Sequence, residues 1–306
     1  MDNPAQMKIL SAVWRSPGLC RSELGGRVGL HANTVTRRVD ALLREGFLRE
    51  GAAAPPGRRG RPKIPLEVDP ARVCVGGIAI GAGGVGAVAM NLLGQPLGGF
   101  ARAAAAGPAG IAKAVGRLLQ GLLLQKPVAL GVSVTGFVDP VGRRILFSSA
   151  SPAAEVDLAP LLRRAGTTPV AVNSAVHALS ARWLMGHAKS EKEDTLIVTL
   201  EDGAVGASLL IEGRPNRGCV LGGNELGHMG LNVETAPCYC GASGCVERVF
   251  STDYLHRLGG AGSLADALSA PDLPEAARRI VALTARGLAN ATVFARPHRM
   301  VVAGTP

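Results

Sequence analysis

In the segment ELGHMGLNVETAPCYCGASGCVE, residues 225–247, one imidazole (His228) and three thiols (Cys238, Cys240, Cys245) follow one another at offsets of ten, two and five residues. These are the four soft-to-borderline donors of a closed tetrahedral zinc site, and Gly241 and Gly244 let the CxCGxxGC loop turn its sulfurs inward. The competing reading is a set of buried packing cysteines or a redox cluster. A Cys-x-Cys pair is poorly placed for a disulfide, any pairing leaves a third thiol over, and a histidine at loop distance completes a metal set. Four protein donors leave no open coordination position. The metal is therefore expected to shape the loop rather than to activate water, and chemistry is expected from the neighbouring Glu225 and Glu247. Cys20, Cys74 and Cys219 stand alone in apolar or turn contexts and read as packing residues.

The elements that position this segment belong to a chain of 306 residues, 47% hydrophobic and 18% charged, which describes packed globular material with room for two or three units. Half of the net charge of +10 lies in the first 70 residues, which hold 12 basic and 7 acidic side chains. A basic excess confined to one small module points to a polyanionic partner, most commonly nucleic acid. The opening MDNPAQMKIL has no charged and apolar halves of a secretory signal, and every apolar run stops well short of the ~18 residues that span a bilayer. A cytoplasmic protein without a membrane span is expected, in keeping with unpaired thiols.

Residues 5–15 carry Met7, Ile9, Leu10, Val13 and Trp14 at helical spacing, and Ser16-Pro17-Gly18 stops the run. A short second helix over 21–28, with Ser22 as N-cap, turns at Gly29-Leu30 into a longer helix ending at Glu45 and capped by Asn33 or a neighbour. Val35, Val39, Leu42 and Leu43 form its buried stripe. Asn33, Thr34, Thr36, Arg37 and Arg38 remain for base edges and phosphates, as a recognition helix requires. Strands over 46–50 and 64–68 then flank a tip, GAAAPPGRRGRPK, in which Arg58, Arg59 and Arg61 suit a narrow, negative minor groove. Residues 1–68 thus read as a winged helix-turn-helix that binds double-stranded DNA. His31 reads as a helix-start residue and His177 as packing or surface.

From residue 69 onward, apolar strands at 73–80, 87–92, 128–134, 170–172, 195–199 and 207–211 alternate with helices at 109–125 and 175–186. This order predicts an α/β domain of two lobes, roughly 69–176 and 177–306, with a ligand cleft between them. A long helix over 276–294 and a strand over 299–303 close the chain.

The zinc segment GNELGHMGLNVETAPCYCGASGCVE, the turn VSVTGFVDPVGRRI, the opening VGGIAIGAGGVGAVAMNLLGQPL and the winged helix together resemble the ROK family, over almost the whole chain. That family comprises sugar kinases and sugar-responsive repressors, among them xylose- or N-acetylglucosamine-responsive ones. The resemblance implies an actin-like, ribonuclease H-like ATPase-type fold, here C-terminally shortened. It also implies that Asn173, Glu225, His228 and Glu247 hold sugar hydroxyls, and that His228, Cys238, Cys240 and Cys245 hold Zn2+.

Two departures bear on activity. Kinases of the family carry Asp and Thr in a DxGGT opening and a later Asn-Asp pair that supplies the base. Here the first Asp falls on Ala79, the GGT segment reads Gly81-Ala82-Gly83, and the pair reads Asn173-Ser174. Loss of a general base costs about 10²–10⁴ in rate. The expectation is a non-enzymatic, sugar-controlled transcriptional repressor with no catalytic residues, acting as a homodimer or tetramer. A sugar kinase with a fused DNA-binding domain and an effector-unresponsive DNA-binding module are the alternatives.

Overall fold

A computed structural model describes residues 3–52, 63–70, 73–81, 83–105, 107–148, 155–186, 193–216 and 223–304. Arg58, Arg59, Arg61 and Cys219 lie outside the described residues.

Three helices, α1 (Pro4–Arg15), α2 (Arg21–Val28) and α3 (Ala32–Arg44), and a hairpin of β1 (Leu48–Glu50) and β2 (Leu66–Val68) form the N-terminal unit. Ile9, Val13, Leu24, Val35, Val39, Leu42, Leu48, Leu66 and Val68 make its core, each contributed by the apolar stripe of its element. The caps differ from expectation. Asn3 Oδ1 accepts from the N–H of Ala5 at 3.0 Å and opens α1. At α2 the carboxylate of Glu23 reaches back to the N–H of Cys20 at 2.9 Å, so the cap is the pair Cys20 and Glu23 rather than Ser22. His31 holds the N-cap position of α3 without a side-chain cap bond, leaving Asn33 exposed within the helix.

Next come β3 (Cys74–Gly81), β4 (Gly84–Asn91) and β5 (Ala101–Ala103), then α4 (Gly107–Leu123), β6 (Leu130–Val134), a small sheet of β7 (Gly136–Asp139), β8 (Arg144–Ser148) and β9 (Val156–Asp157), the short α5 (Ala159–Leu162) and β10 (Val170–Ser174). The main sheet runs β10-β6-β3-β4-β5, parallel from β10 to β3 and antiparallel beyond. Ile111, Val115, Leu118, Leu119 and Leu122 of α4 bury one face of it together with Ile78, Ile80, Val132 and Val172. The β7–β9 sheet had no separate signal in the sequence, because its strands are too short for a clear alternation.

Helix α6 (Ala175–Gly186) leaves β10 and packs on both β10 and β12, so it bridges the two lobes. The second sheet, β13 (Arg214–Pro215), β12 (Ala204–Ile211), β11 (Thr195–Glu201) and β14 (Arg299–Gly304), lies in that order. It is backed by α7 (Val246–Val249), α8 (Thr252–Arg257), α9 (Leu264–Ser269) and the long α10 (Glu275–Ala295), around Leu196, Val198, Val246, Val249, Leu255, Ile280 and Leu283. Among the described residues no helix is long and apolar enough to cross a membrane.

Contacts at Trp14 and Leu92 tie the N-terminal unit to the first lobe. Trp14 Nε1 donates to the Leu92 carbonyl at 2.7 Å, and Leu92 packs on the winged-helix core. The turn that presents Leu92 is held by buried Asn91, whose Oδ1 accepts from the N–H groups of Leu93 (2.9 Å) and Gln95 (3.0 Å). Trp14→Phe keeps the ring but removes the donor, at a cost of about 1 kcal/mol. Hydrogen exchange of α1 and of residues 89–95 is expected to quicken about fivefold, and unchanged protection would show that the contact contributes nothing.

Candidate functional site

Two turns carry the metal-ligand candidates, and backbone hydrogen bonds zip them together. His228 ends the 3-10 turn Leu226–His228, while Cys245 is the N-cap of α7. The Leu231 N–H donates to the Gly244 carbonyl at 2.8 Å and the Val246 N–H to the Met229 carbonyl at 3.0 Å. Gly244 has φ of +75°, and a Cβ there would stand 2.6 Å from the Val233 carbonyl oxygen, so the crossing tolerates only glycine.

This arrangement brings all four donor atoms within 4.8 Å of one another. Cys238 Sγ lies 3.5 Å from His228 Nδ1, and Cys240 Sγ lies 3.6 Å from Cys245 Sγ. A tetrahedral metal with ~2.3 Å bonds to sulfur has donor separations of ~3.8 Å, so the cluster is already close to the required shape. Burial pushes the Cys245 thiol up to about 12, whereas the Ala242 backbone N–H holds the Cys240 thiol below its usual range. A divalent cation held by these four residues would supply the charge that lets all three sulfurs be thiolates at neutral pH. Of the isolated cysteines, Cys20 is buried as expected, while Cys74 is half-buried with its Sγ 3.1 Å from the Gln125 carbonyl.

The same turns aim two carboxylates into the cleft between the lobes. Glu225 precedes His228 by three residues and Glu247 follows Cys245 by two, and both line a cavity of about 260 Å³ with Thr135, Ser174, His177 and Tyr239. Glu247 is 4% exposed, and its Oε2 accepts from the Val205 N–H at 3.2 Å. Its buried Oε1 has no partner in hydrogen-bonding geometry among the described residues. The Tyr239 phenol stands beside the same carboxylate: burial first, then the Glu247 charge and a hydrogen bond to that carboxylate, raise the phenol's pKa. Glu225 keeps its outer surface open to the cleft, yet burial of the carboxyl, and secondarily the charge of Glu247, raise its pKa to about 7.

An aromatic cluster joins this loop to the first lobe. The Tyr239 ring stacks on Phe147 at 4.4 Å between centroids and meets His228 edge-on at 4.8 Å, and Phe137 lies parallel to His228 at 6.5 Å. Tyr239 hides between two cysteines, and its contact with β8 has no local signature.

Of the four residues expected to hold sugar, Glu225 and Glu247 line the cavity, His228 stands behind them in the donor cluster and is not part of the described lining, and Asn173 lies apart. Alternation along β10 turns it toward an adjoining apolar pocket with Ala79, Ser133, Val88 and Met90, while Ser174 faces the cleft. Among the described lining of that pocket there is no ionisable side chain. His177, expected as packing or surface, instead shares a 2.7 Å hydrogen bond between its Nδ1 and Ser174 Oγ. The i,i+3 spacing into the first turn of α6 was the available signal, since one helical turn brings position 177 back beside 174.

On the N-terminal unit, Asn33, Thr36 and Arg37 share an exposed face of α3 with Asp40 and Arg44. Thr34 and Arg38 lie on a more buried flank. Asp40 is engaged by Arg21 at 2.6 Å, and Arg21 also reaches Glu50 at 3.1 Å, tying α2, α3 and β1 together. Arg37 enters no ion pair among those the described residues form.

Cys240 is exposed, so Cys240→Ser disturbs little packing and isolates the loss of a donor. Purified protein is expected to carry about one zinc per chain by elemental analysis, and Cys240→Ser to lose it together with thermal stability. Equal metal content and melting in both proteins would refute the site. A carboxyl with a raised folded pKa binds more protons folded than unfolded. Stability therefore falls as pH rises from about 4.5 through about 7, and Glu225→Gln is expected to flatten that decline in melting curves.

Comparison with known proteins agrees with this geometry. Residues 75–305 match the ROK family and residues 2–49 a winged helix-turn-helix DNA-binding family. A transcriptional regulator of Mycobacterium bovis is 30% identical over 222 residues, 70% of this chain and 50% of its own length. The xylose repressor of Bacillus subtilis is 23% identical over 250 residues, 79% of this chain and 64% of its own. The chain thus spans about half the length of the first of these relatives. A ROK family transcriptional regulator, described as a homolog of the E. coli MLC protein, superposes with a TM-score of 0.75 at 18% identity, covering 97% of this chain and 83% of that one. A ROK family glucokinase from Streptomyces griseus, solved with glucose and AMPPNP, gives 0.61 at 23% identity over 76% of this chain and 83% of that one. With its winged helix-turn-helix, two-lobed α/β domain and His-Cys cluster, the chain belongs to the ROK family.

Proposed function

We propose that this chain is a sugar-responsive transcriptional repressor that no longer transfers phosphate. The observation that carries the reading is the composition of the cleft. The paired carboxylates Glu225 and Glu247 are kept, and the buried Glu247 Oε1 lacks a partner that a ligand hydroxyl would supply. Ser174 and Ala79 meanwhile stand where kinases of the family have carboxylates. A carboxylate accepting from neighbouring hydroxyls suits a sugar ring, and the cavity has room for about one.

In this reading Zn2+ on His228, Cys238, Cys240 and Cys245 holds the two turns in register and supplies no reaction. Asn33, Thr36 and Arg37 read base edges in the major groove, Thr34 and Arg38 support them from the flank, and Arg58, Arg59 and Arg61 contact the flanking backbone or minor groove. Two copies place paired α3 helices on half-sites about one helical turn apart. Asn173, on the adjoining pocket, supports the sugar from outside the carboxylate pair. Sugar and DNA are linked reciprocally: if sugar weakens operator binding, operator weakens sugar binding by the same factor.

The test begins with genomic fragments selected for binding. Arg37→Ala is expected to weaken operator binding by about 1–3 kcal/mol, measured by fluorescence anisotropy at fixed salt. A sugar is expected to shift the wild-type affinity, and a coupled assay with ATP to show no turnover. Operator affinity that no sugar moves would overturn the sensing role, and ATP-dependent phosphorylation would overturn the loss of catalysis.

A further inference from the structure

Resting on that reading of the cleft, we infer that Ser174 and His177 form a hydroxyl-reading pair that selects an uncharged sugar over its phosphorylated or acidic derivatives. Three observations converge. Ser174 and His177 both line the same cavity as Glu225 and Glu247, and the two are joined at 2.7 Å between Oγ and Nδ1. The buried Glu247 Oε1, without a partner, marks the opposite wall as a place where a ligand hydroxyl is needed. Finally, the described lining holds three carboxylates, Glu201, Glu225 and Glu247, and no lysine or arginine.

The chemistry follows from what the pair can exchange. A serine hydroxyl has one proton and two lone pairs, and an imidazole Nδ1 takes either role according to its tautomer. With Nδ1 as acceptor, Ser174 gives its proton to His177 and presents lone pairs to a ligand O–H. With Nδ1–H as donor, Ser174 accepts from His177 and its own proton points to a ligand oxygen. Either way the pair meets a hydroxyl, which can donate or accept, without placing a negative charge at that wall. A phosphate or carboxylate on the ligand would instead enter a partly dry site among three carboxylates, with no lysine or arginine in the described lining to offset it, a costly arrangement. Ser174 is the contacting residue in this scheme, and His177 is a positioning residue that acts through it.

The experiment is calorimetric titration of the full chain with D-xylose, D-glucose, N-acetyl-D-mannosamine and glucose 6-phosphate, followed by monodeoxy analogues of whichever sugar binds. Ser174→Ala and His177→Ala are each expected to weaken that sugar about 3- to 10-fold, the value of one ordinary hydrogen bond. One deoxy analogue is expected to bind wild type and Ser174→Ala equally. In the Ser174→Ala background, His177→Ala is expected to add nothing, whereas a merely structural histidine would add its own loss. Should His177→Ala fail to fold, Ser174→Ala and the deoxy series decide alone. Equal sugar affinity in wild type and Ser174→Ala overturns this inference and leaves the sensing role standing, as does tighter binding of glucose 6-phosphate than of glucose. Binding of no sugar by the wild type overturns both.

Discussion

The crossing of two turns at the His-Cys cluster is the constraint on which the cleft depends. His228 and Cys245 lie on different turns, joined through the Leu231, Gly244, Met229 and Val246 backbone groups. Glu225 and Glu247 sit only a few residues from those ligands, so wherever the four donors are held, the carboxylates follow. The spacing of the donors suits one tetrahedral cation. A cation there would stiffen turns that already pack Leu226, Leu231, Val246 and Val249 into the core of the second lobe. That rigidity matters because the cleft holds two carboxylates in a partly dry place: burial first, and the charge of Glu247 second, raise the Glu225 pKa to about 7.

The loop would do little if it stood apart from the first lobe. Tyr239 carries its rigidity across, stacking on Phe147 of the small β7–β9 sheet and meeting His228 edge-on. Helix α6 makes the second crossing, since it begins beside Ser174 and packs on the second sheet. The cavity is therefore walled by elements of both lobes. A ligand that contacts both walls favours one relative placement of them, which is the physical content of sensing in a two-lobed domain.

Toward the N-terminus, the first lobe offers the turn after β4 to the winged helix, through the bond from Trp14 to the Leu92 carbonyl. Strand β4 lies in the same sheet as β10, from which Ser174 enters the cleft. A continuous packed path of sheet and turn thus connects the cleft with α1. Helix α3, the face that would read DNA, is fixed to the rest of its unit by its buried Val35, Val39 and Leu42 and by the Arg21 ion pairs.

Much of this was legible in the order of residues, for local reasons. Helical periodicity located α1, α3, α4 and α10, apolar runs located β3, β4, β6, β10, β11, β12 and β14 but not the short β5 and β13, and four donors in one short segment announced a cluster that could hold a metal. Those signals are carried by neighbours in sequence, so no tertiary knowledge is needed to read them. What tertiary structure decided was partnership across sequence. Strand alternation sent Asn173 to a pocket away from Glu225 and Glu247, and one turn of α6 placed His177 on Ser174. Cys20 with Glu23, rather than Ser22, capped α2. The pairing of Tyr239 with Phe147 and of Trp14 with Leu92 joins residues separated by most of a lobe. Burial and hydrogen-bond geometry choose such partners, and both are set only when the whole chain has packed.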